Sequence, residues 1–310
     1  MIHSTHLLRL SAVIARGSMR QAALALNISQ PALSQSIREL EEIVGTALFE
    51  RTPRGLRVTP AGRQLGIHAD IVANEIEKTG LTAAALRTGW QSHLSIGASA
   101  SICSSAMPTL ASTLLDEGLV SGLDVHEGIA AGLIDRLARG ALDLVVTYLW
   151  NIGCSIESIA CEQVGVSQIT VVCRREAADA ILDQGTGTLA ARRWVIMSKS
   201  IEMKQRFEDF FAASSIPRPP IVVETDSISF ALRLLKEQDY VAFIPIGHAG
   251  ILDRRRFVAL EIDGITWPRA VGVFFRRSAH PPPALRRVIE LLRAHYAQPA
   301  EGGLPRLRCR

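Results

Sequence analysis

The chain has 310 residues, 48% hydrophobic and 21% charged, with a net charge of +4. That length allows more than one domain, and that apolar content excludes a disordered chain. No run of about 18 apolar residues occurs, nor a basic leader before an apolar stretch, so neither a membrane span nor a signal peptide is expected and the reading is a cytoplasmic protein.

The charge is uneven. Residues 1–66 hold eight arginines and four glutamates, while the rest carries 26 basic and 26 acidic residues. A surplus confined to the first fifth of the chain points to a polyanion as partner there. The cysteines (Cys103, Cys154, Cys161, Cys173 and Cys309) are odd in number and form no CxxC pair, which reads as structural thiols in a reducing compartment.

His6 to Ala15 has apolar residues at 7, 10, 13 and 14, a short amphipathic helix ended by Gly17. Ser18 caps a second helix, Met19 to Leu26, which Asn27 stops. Ser29 caps a third, in which Pro31 falls in the first turn, where its missing N–H loses no bond. Gly45 ends that helix. "LFERTPRGLRVTPAG" then reads as two short extended pieces around a Pro-Arg-Gly turn. Helix, helix, turn, helix, basic hairpin is the order of a winged helix-turn-helix.

The third helix carries the functional signal. Leu33, Ile37, Leu40 and Val44 form one apolar stripe that seats it on the first two helices. The other face offers Pro31, Ser34, Gln35 and Arg38, with Gln30 at the leading end. The serine, glutamine and arginine side chains among them present donors or acceptors at short reach, as reading base edges in a major groove requires. Glu39, Glu41 and Glu42 are expected at the flank or far end. Arg51 and Arg54 in the wing, with Arg20 on the second helix, complete the DNA-binding set, the wing pair on the backbone or minor groove.

From Thr59 to about Thr88 runs a long helical pattern. Leu65, Ala69, Val72, Ile76, Thr79, Ala83 and Leu86 alternate by four and three, a coiled-coil seam for dimerisation. Beyond "GWQS" strands alternate with helices: "HLSIGAS", "LDVHE", "ALDLVVTYL", "QVGVSQITVVC", "RRWVIM", "PPIVVET", "YVAFIPI" and "RAVGVFFR" read as strands, and "PPPALRRVIELLRAHYAQ" closes as a helix. That alternation means βαβ units and a parallel sheet, an α/β domain.

The block "GSMRQAALALNISQPALSQSIRELEEIVGTALFERTPRGLRVTPAG", residues 17–62, resembles the DNA-binding region of LysR-type transcriptional regulators. SQPALS, the LE pair before a glycine, LFxR and TPAG stand in family order and spacing. "GALDLVV" and "YVAFIPI" match the family's later strands, while "KEQDYVAF" lacks its usual glycine pair. The resemblance implies a sequence-specific regulator with a winged helix-turn-helix over 1–59, a linker and dimerisation helix over 60–89, and an effector-binding domain over 90–300. That domain would be two-lobed and periplasmic-binding-protein-like, with lobe I at 90–161 and 267–300 and lobe II at 162–266. The tail 301–310 reads as flexible. Promoter DNA, a small-molecule effector between the lobes and further copies of the chain are the implied partners, with dimers through the long helix, a homotetramer through the effector domains, and RNA polymerase a candidate. No cofactor or metal is expected.

The effector belongs at strand ends and helix N-termini between the lobes. "GASASICSS" follows a strand and opens a helix whose first-turn N–H groups suit an anion. Ser99, Ser101, Gly128, Thr147, Ser198 and Thr225 are the candidate residues, and a small organic anion the ligand class. "GASAS" also resembles a hydrolase nucleophile elbow, but without the last glycine. His248 and His280 would be its candidate bases. A solute-binding protein and a redox switch using Cys154 and Cys161 are two further readings. The first does not explain the basic winged helix or the lack of a signal peptide, and against the second no basic cluster flanks those thiols.

Overall fold

A computed structural model describes residues 1–53, 55–88, 93–149, 158–197, 201–237, 239–277, 284–297 and 304–309. Three helices open it: α1 (Ser4–Arg16), α2 (Met19–Ala25) and α3 (Gln30–Val44). The Ser18 hydroxyl accepts the N–H of Gln21 at 3.5 Å and Ser29 that of Ala32 at 3.3 Å. Each cap satisfies a donor that the helix cannot. Asn27 takes a left-handed φ of 53°, which lets the chain turn between α2 and α3. Leu10, Val13, Ala22, Ala23, Leu33, Ile37, Leu40 and Leu48 form one buried core.

The wing is β1 (Phe49–Thr52) antiparallel to β2 (Gly55–Val58). Two side chains fasten it. The Glu41 carboxylate accepts the N–H groups of Leu48 at 2.7 Å and Phe49 at 3.2 Å. Thr59 donates its hydroxyl to the Ala47 carbonyl at 2.8 Å and accepts the N–H of Gly62 at 3.0 Å. Gly62 must be glycine, because a Cβ there would lie 2.2 Å from the Leu48 carbonyl oxygen. The LE pair and the TPAG tetrad are therefore fold residues.

Helix α4 (Pro60–Thr88) follows. Its first turns pack within the chain. Leu65 packs on the winged-helix core and Ala69 is wholly buried in it, against α1. The four-three pattern expected to face a second chain is used within this one, because the amino end of α4 completes a core that three short helices leave open. Val72 is half-buried, Ile76 is 46% exposed and Ala83 is exposed; the side chain of Leu86 lies outside the described residues.

The α/β part has two lobes. In the first, β3 (His93–Ala98), β4 (Gly122–Glu127) and β5 (Leu144–Tyr148) are parallel, in the order β4-β3-β5. Helices α5 (Ala100–Asp116) and α10 (Leu285–Ala297) cover one face through Ile102, Leu110, Val288 and Leu292. Helix α6 (Ala130–Ala138) covers the other through Leu133 and Leu137. In the second lobe β8 (Ile221–Thr225), β7 (Arg193–Met197) and β9 (Tyr240–Pro245) are parallel. Helices α7 (Arg175–Gln184) and α8 (Ile201–Ala213) lie on one face and α9 (Ile228–Glu237) on the other.

Two long strands join the lobes. β6 (Ile159–Arg174) pairs with β11 (Trp267–Arg276) from Ile159 to Ile169, then with β9 and β10 (Phe257–Ile262) beyond. Val164 packs in the first lobe and Ile169 in the second, so the strand crosses between them, a few residues beyond Glu162, because one continuous strand pairs into both sheets. Trp267 packs in the second lobe, against Phe243 at 5.0 Å. The tail also differs from expectation: β12 (Arg306–Cys309) adds to the lobe II sheet, parallel to β10. Leu304 is buried there and Leu307 packs on the core, which orders a segment whose composition reads as flexible.

Candidate nucleic-acid interface and effector cleft

On α3 the buried side chains are Leu33, Ser36, Ile37 and Leu40. Gln30, Pro31, Gln35 and Arg38 are exposed and Ser34 is half-buried. These five share one open face. Glu39 is exposed at the flank of that face: it accepts the Gln35 amide at 3.1 Å and faces His6 Nε2 of α1 at 3.7 Å. Arg20 is exposed on α2, and among the described residues neither it nor Arg38 has a carboxylate partner. Arg51 lies on β1 opposite Leu56, with its side chain outside the described residues, as is Arg54 altogether. In the same hairpin Arg57 is paired with Glu50 at 2.9 Å, which pushes its guanidinium further up.

The effector candidates separate into groups. Parallel register sets the carboxyl ends of β3, β4 and β5 side by side, which brings Ser99, Gly128 and Thr147 to one edge. The N–H of Ser99 bonds the Val146 carbonyl at 3.2 Å, and that of Gly128 the Ala98 carbonyl at 3.1 Å. Ser99 precedes α5 with its hydroxyl buried and, among the described residues, without a hydrogen-bond partner. Ser101 is buried and bonds Tyr148 Oη at 2.5 Å, so its hydroxyl supports the wall rather than facing a ligand. Arg269 lies 3.8 Å above the Tyr148 ring, a cation–π contact that sequence reasoning missed because the pair is distant in the chain. Across the cleft, Thr225 accepts the N–H of Ser227 at 3.0 Å and so closes its own turn. Ser198 lies outside the described residues.

Ser99 has ordinary extended backbone, φ −70° and ψ 151°, where a nucleophile elbow is strained. Burial pushes the Cys103 thiol up to about 11, with Glu127 adding to the shift, and the Cys173 thiol up to about 12. Cys154, His280 and the His248 side chain lie outside the described residues. A concavity lined by Gln184, Thr188, Arg192, Arg193 and Asp239 lies at the amino ends of β7 and β9, the wrong edge for a ligand of parallel strands.

Residues 87–297 match the LysR substrate binding domain and residues 5–63 the bacterial regulatory helix-turn-helix protein, lysR family. Over 293 residues, 90% of this chain and 91% of the other, the protein is 26% identical to "Uncharacterized HTH-type transcriptional regulator YdcI" of Escherichia coli (strain K12). Over 127 residues, 41% of each chain, it is 36% identical to "Probable hydrogen peroxide-inducible genes activator" of Streptomyces viridosporus. Its fold resembles that of ArgP from Mycobacterium tuberculosis, with a TM-score of 0.67, 22% identity and 99% of each chain covered. The chain belongs to the LysR family of transcriptional regulators, with a helix-turn-helix that binds DNA and a two-lobed domain that binds an effector.

Proposed function

We propose that the protein reads DNA with Gln30, Pro31, Ser34, Gln35 and Arg38 of α3. Arg20, Arg51 and Arg54 would set register on the phosphates. Its effector would be a small organic anion bound at Ser99, Gly128 and Thr147, with Ser198 facing it from lobe II. A cytoplasmic site of action fits a regulator of this kind, and no helix among the described residues is long and apolar enough to cross a membrane. Dimers would form through the part of α4 that the chain leaves open, around Ile76 and Ala83.

One observation carries the effector reading. The Ser99 hydroxyl is buried and, among the described residues, unbonded at the ends of three parallel strands, where a 17-residue helix begins. First-turn N–H groups and the helix dipole favour negative charge there. A thermal-shift screen of mono- and dicarboxylates against their amides tests it. Stabilisation by a carboxylate, absent in Ser99→Ala, is expected; stabilisation by neutral or cationic compounds alone would overturn the anion assignment. A peroxide response is disfavoured at Cys103 and Cys173, since burial holds both as thiols, whereas peroxide needs a thiolate.

A further inference from the structure

Helix α4 is held along two stripes. Leu65 and Ala69 bind it to the winged helix. Asp70, Asn74 and Lys78, each four residues on, bind it to lobe I. Ser11 on α1 donates its hydroxyl to Asp70 Oδ1 at 2.7 Å, and Arg139 at the end of α6 donates from Nη1 to Asp70 Oδ2 at 2.7 Å. One carboxylate thus joins the DNA-binding domain, the linker helix and the effector domain. Its side chain is 19% exposed. Asn74 donates to the Arg139 carbonyl at 2.8 Å. Lys78 pairs with Asp143, whose other oxygen accepts the N–H of Ser95 at 2.9 Å. Between these contacts Gly140, at a φ of 80°, has the Ile71 backbone in ordinary contact, and a Cβ added there would lie 3.6 Å from the Ile71 Cα and 2.4 Å from Arg276 Nη1.

The charge order fixes the register. An acid on α4 meets a base of lobe I at position 70, and a base meets an acid at position 78. Reversing or sliding the helix would set like charges together. The three lobe I elements at this seam also bear the effector cleft at their other ends. β3 passes Ser95 and ends at Ser99; β5 follows Asp143 and reaches Thr147; α6 starts after Gly128 and ends at Arg139. The strands are five and six residues long, under about 20 Å at ~3.3 Å per residue.

We infer that Asp70 is a positioning residue for regulated DNA binding: bridged to Ser11 and Arg139, it sets the winged helix against lobe I and carries movement at the cleft to the DNA. It touches neither DNA nor effector. The inference rests on the DNA-binding reading.

The test uses the full chain and a DNA fragment from upstream of its own gene. Affinity is read by anisotropy and bending by circular-permutation mobility. Asp70→Ala and Arg139→Ala are each expected to change affinity or bend at least about threefold. The double variant should fall short of the product of the two single effects, because both remove the Asp70–Arg139 bridge, while Asp70→Ala also removes the Ser11 bond and Arg139→Ala the pair with Asp135. The pair Asp70→Arg with Arg139→Asp, which restores opposite charges across the bridge but gives up the Ser11 bond and the Asp135 pair, should lie closer to the unchanged protein than either charge change alone. Variants that all behave like the unchanged protein would overturn the proposal, as would single effects that simply multiply. If Asp70→Ala fails to fold, Arg139→Ala with rescue by Arg139→Lys decides, since Arg139 lies at a helix end. Failure of the unchanged protein to bind DNA at all would instead remove the reading beneath the proposal.

Discussion

The side-chain amide of Gln35 donates to Glu39 across 3.1 Å, one turn along the exposed face of α3. A carboxylate therefore stands beside the groups that would read DNA, and it repels phosphate. Glu39→Gln is expected to raise affinity for every DNA sequence by up to about fivefold, the ~1 kcal/mol scale of exposed charges. Anisotropy at two salt concentrations checks it: the gain should shrink in high salt. An unchanged affinity at low salt would place Glu39 away from the DNA.

Gln35 and Arg20 should fail differently. Gln35→Ala is expected to lower discrimination at one base pair by about 1–3 kcal/mol, the value of a bidentate contact. Arg20→Ala should weaken all sequences alike and reduce the salt slope by about one. Competition with single-base operator variants separates the two. If both changes act uniformly, the assigned face of α3 is wrong.

The wing depends on Glu41 and Gly62. Glu41→Ala leaves the N–H groups of Leu48 and Phe49 without their acceptor, an expected loss of about 1–3 kcal/mol. Gly62→Ala forces a methyl group against the Leu48 carbonyl and should cost about 1–3 kcal/mol or more. Urea unfolding measures both. Neither should change base preference in protein that stays folded, because the Glu41 carboxylate is bound to the wing backbone and Gly62 lies on α4, away from the exposed face of α3.

Buried thiols give stability an alkaline limit. Cys173 rises from 9.0 to about 12 in the folded chain because burial disfavours the thiolate. Above about pH 9 the unfolded chain releases that proton while the folded one keeps it, so stability is full below 9 and falls as pH rises toward 12. Cys103, at about 11, adds to the same slope. Urea unfolding at pH 7, 9 and 10.5 should show the decline, and Cys173→Ala should flatten it. An identical slope in that variant would assign the decline to other groups.

Much of the fold was legible because its signals are local. Caps at Ser18 and Ser29, the stripe through Leu33 and Ile37, and the alternation of strands with helices depend on neighbours a few residues apart. The exposed face of α3 proposed to read DNA follows from the same stripe, since burying one face of a helix exposes the other. Leu65 and Ala69 were misleading for the same reason. A four-three pattern shows that a stripe is apolar, not whether its cover comes from this chain or another.

What the sequence by itself determined was the type and order of the elements and the family they belong to, because helical and strand periodicity, caps and turns are written in contiguous residues. Tertiary structure alone decided which hydroxyls remain for a ligand. Ser101 is taken by Tyr148, 47 residues away, Thr225 closes its own turn, and Ser99 keeps a buried oxygen, unbonded among the described residues. It also decided that the tail 306–309 is a strand, since the edge of β10 offers the hydrogen bonds its composition does not announce. The bridge from Ser11 through Asp70 to Arg139 spans three elements. Such contacts depend on where the backbone brings distant residues together, and no periodicity encodes that.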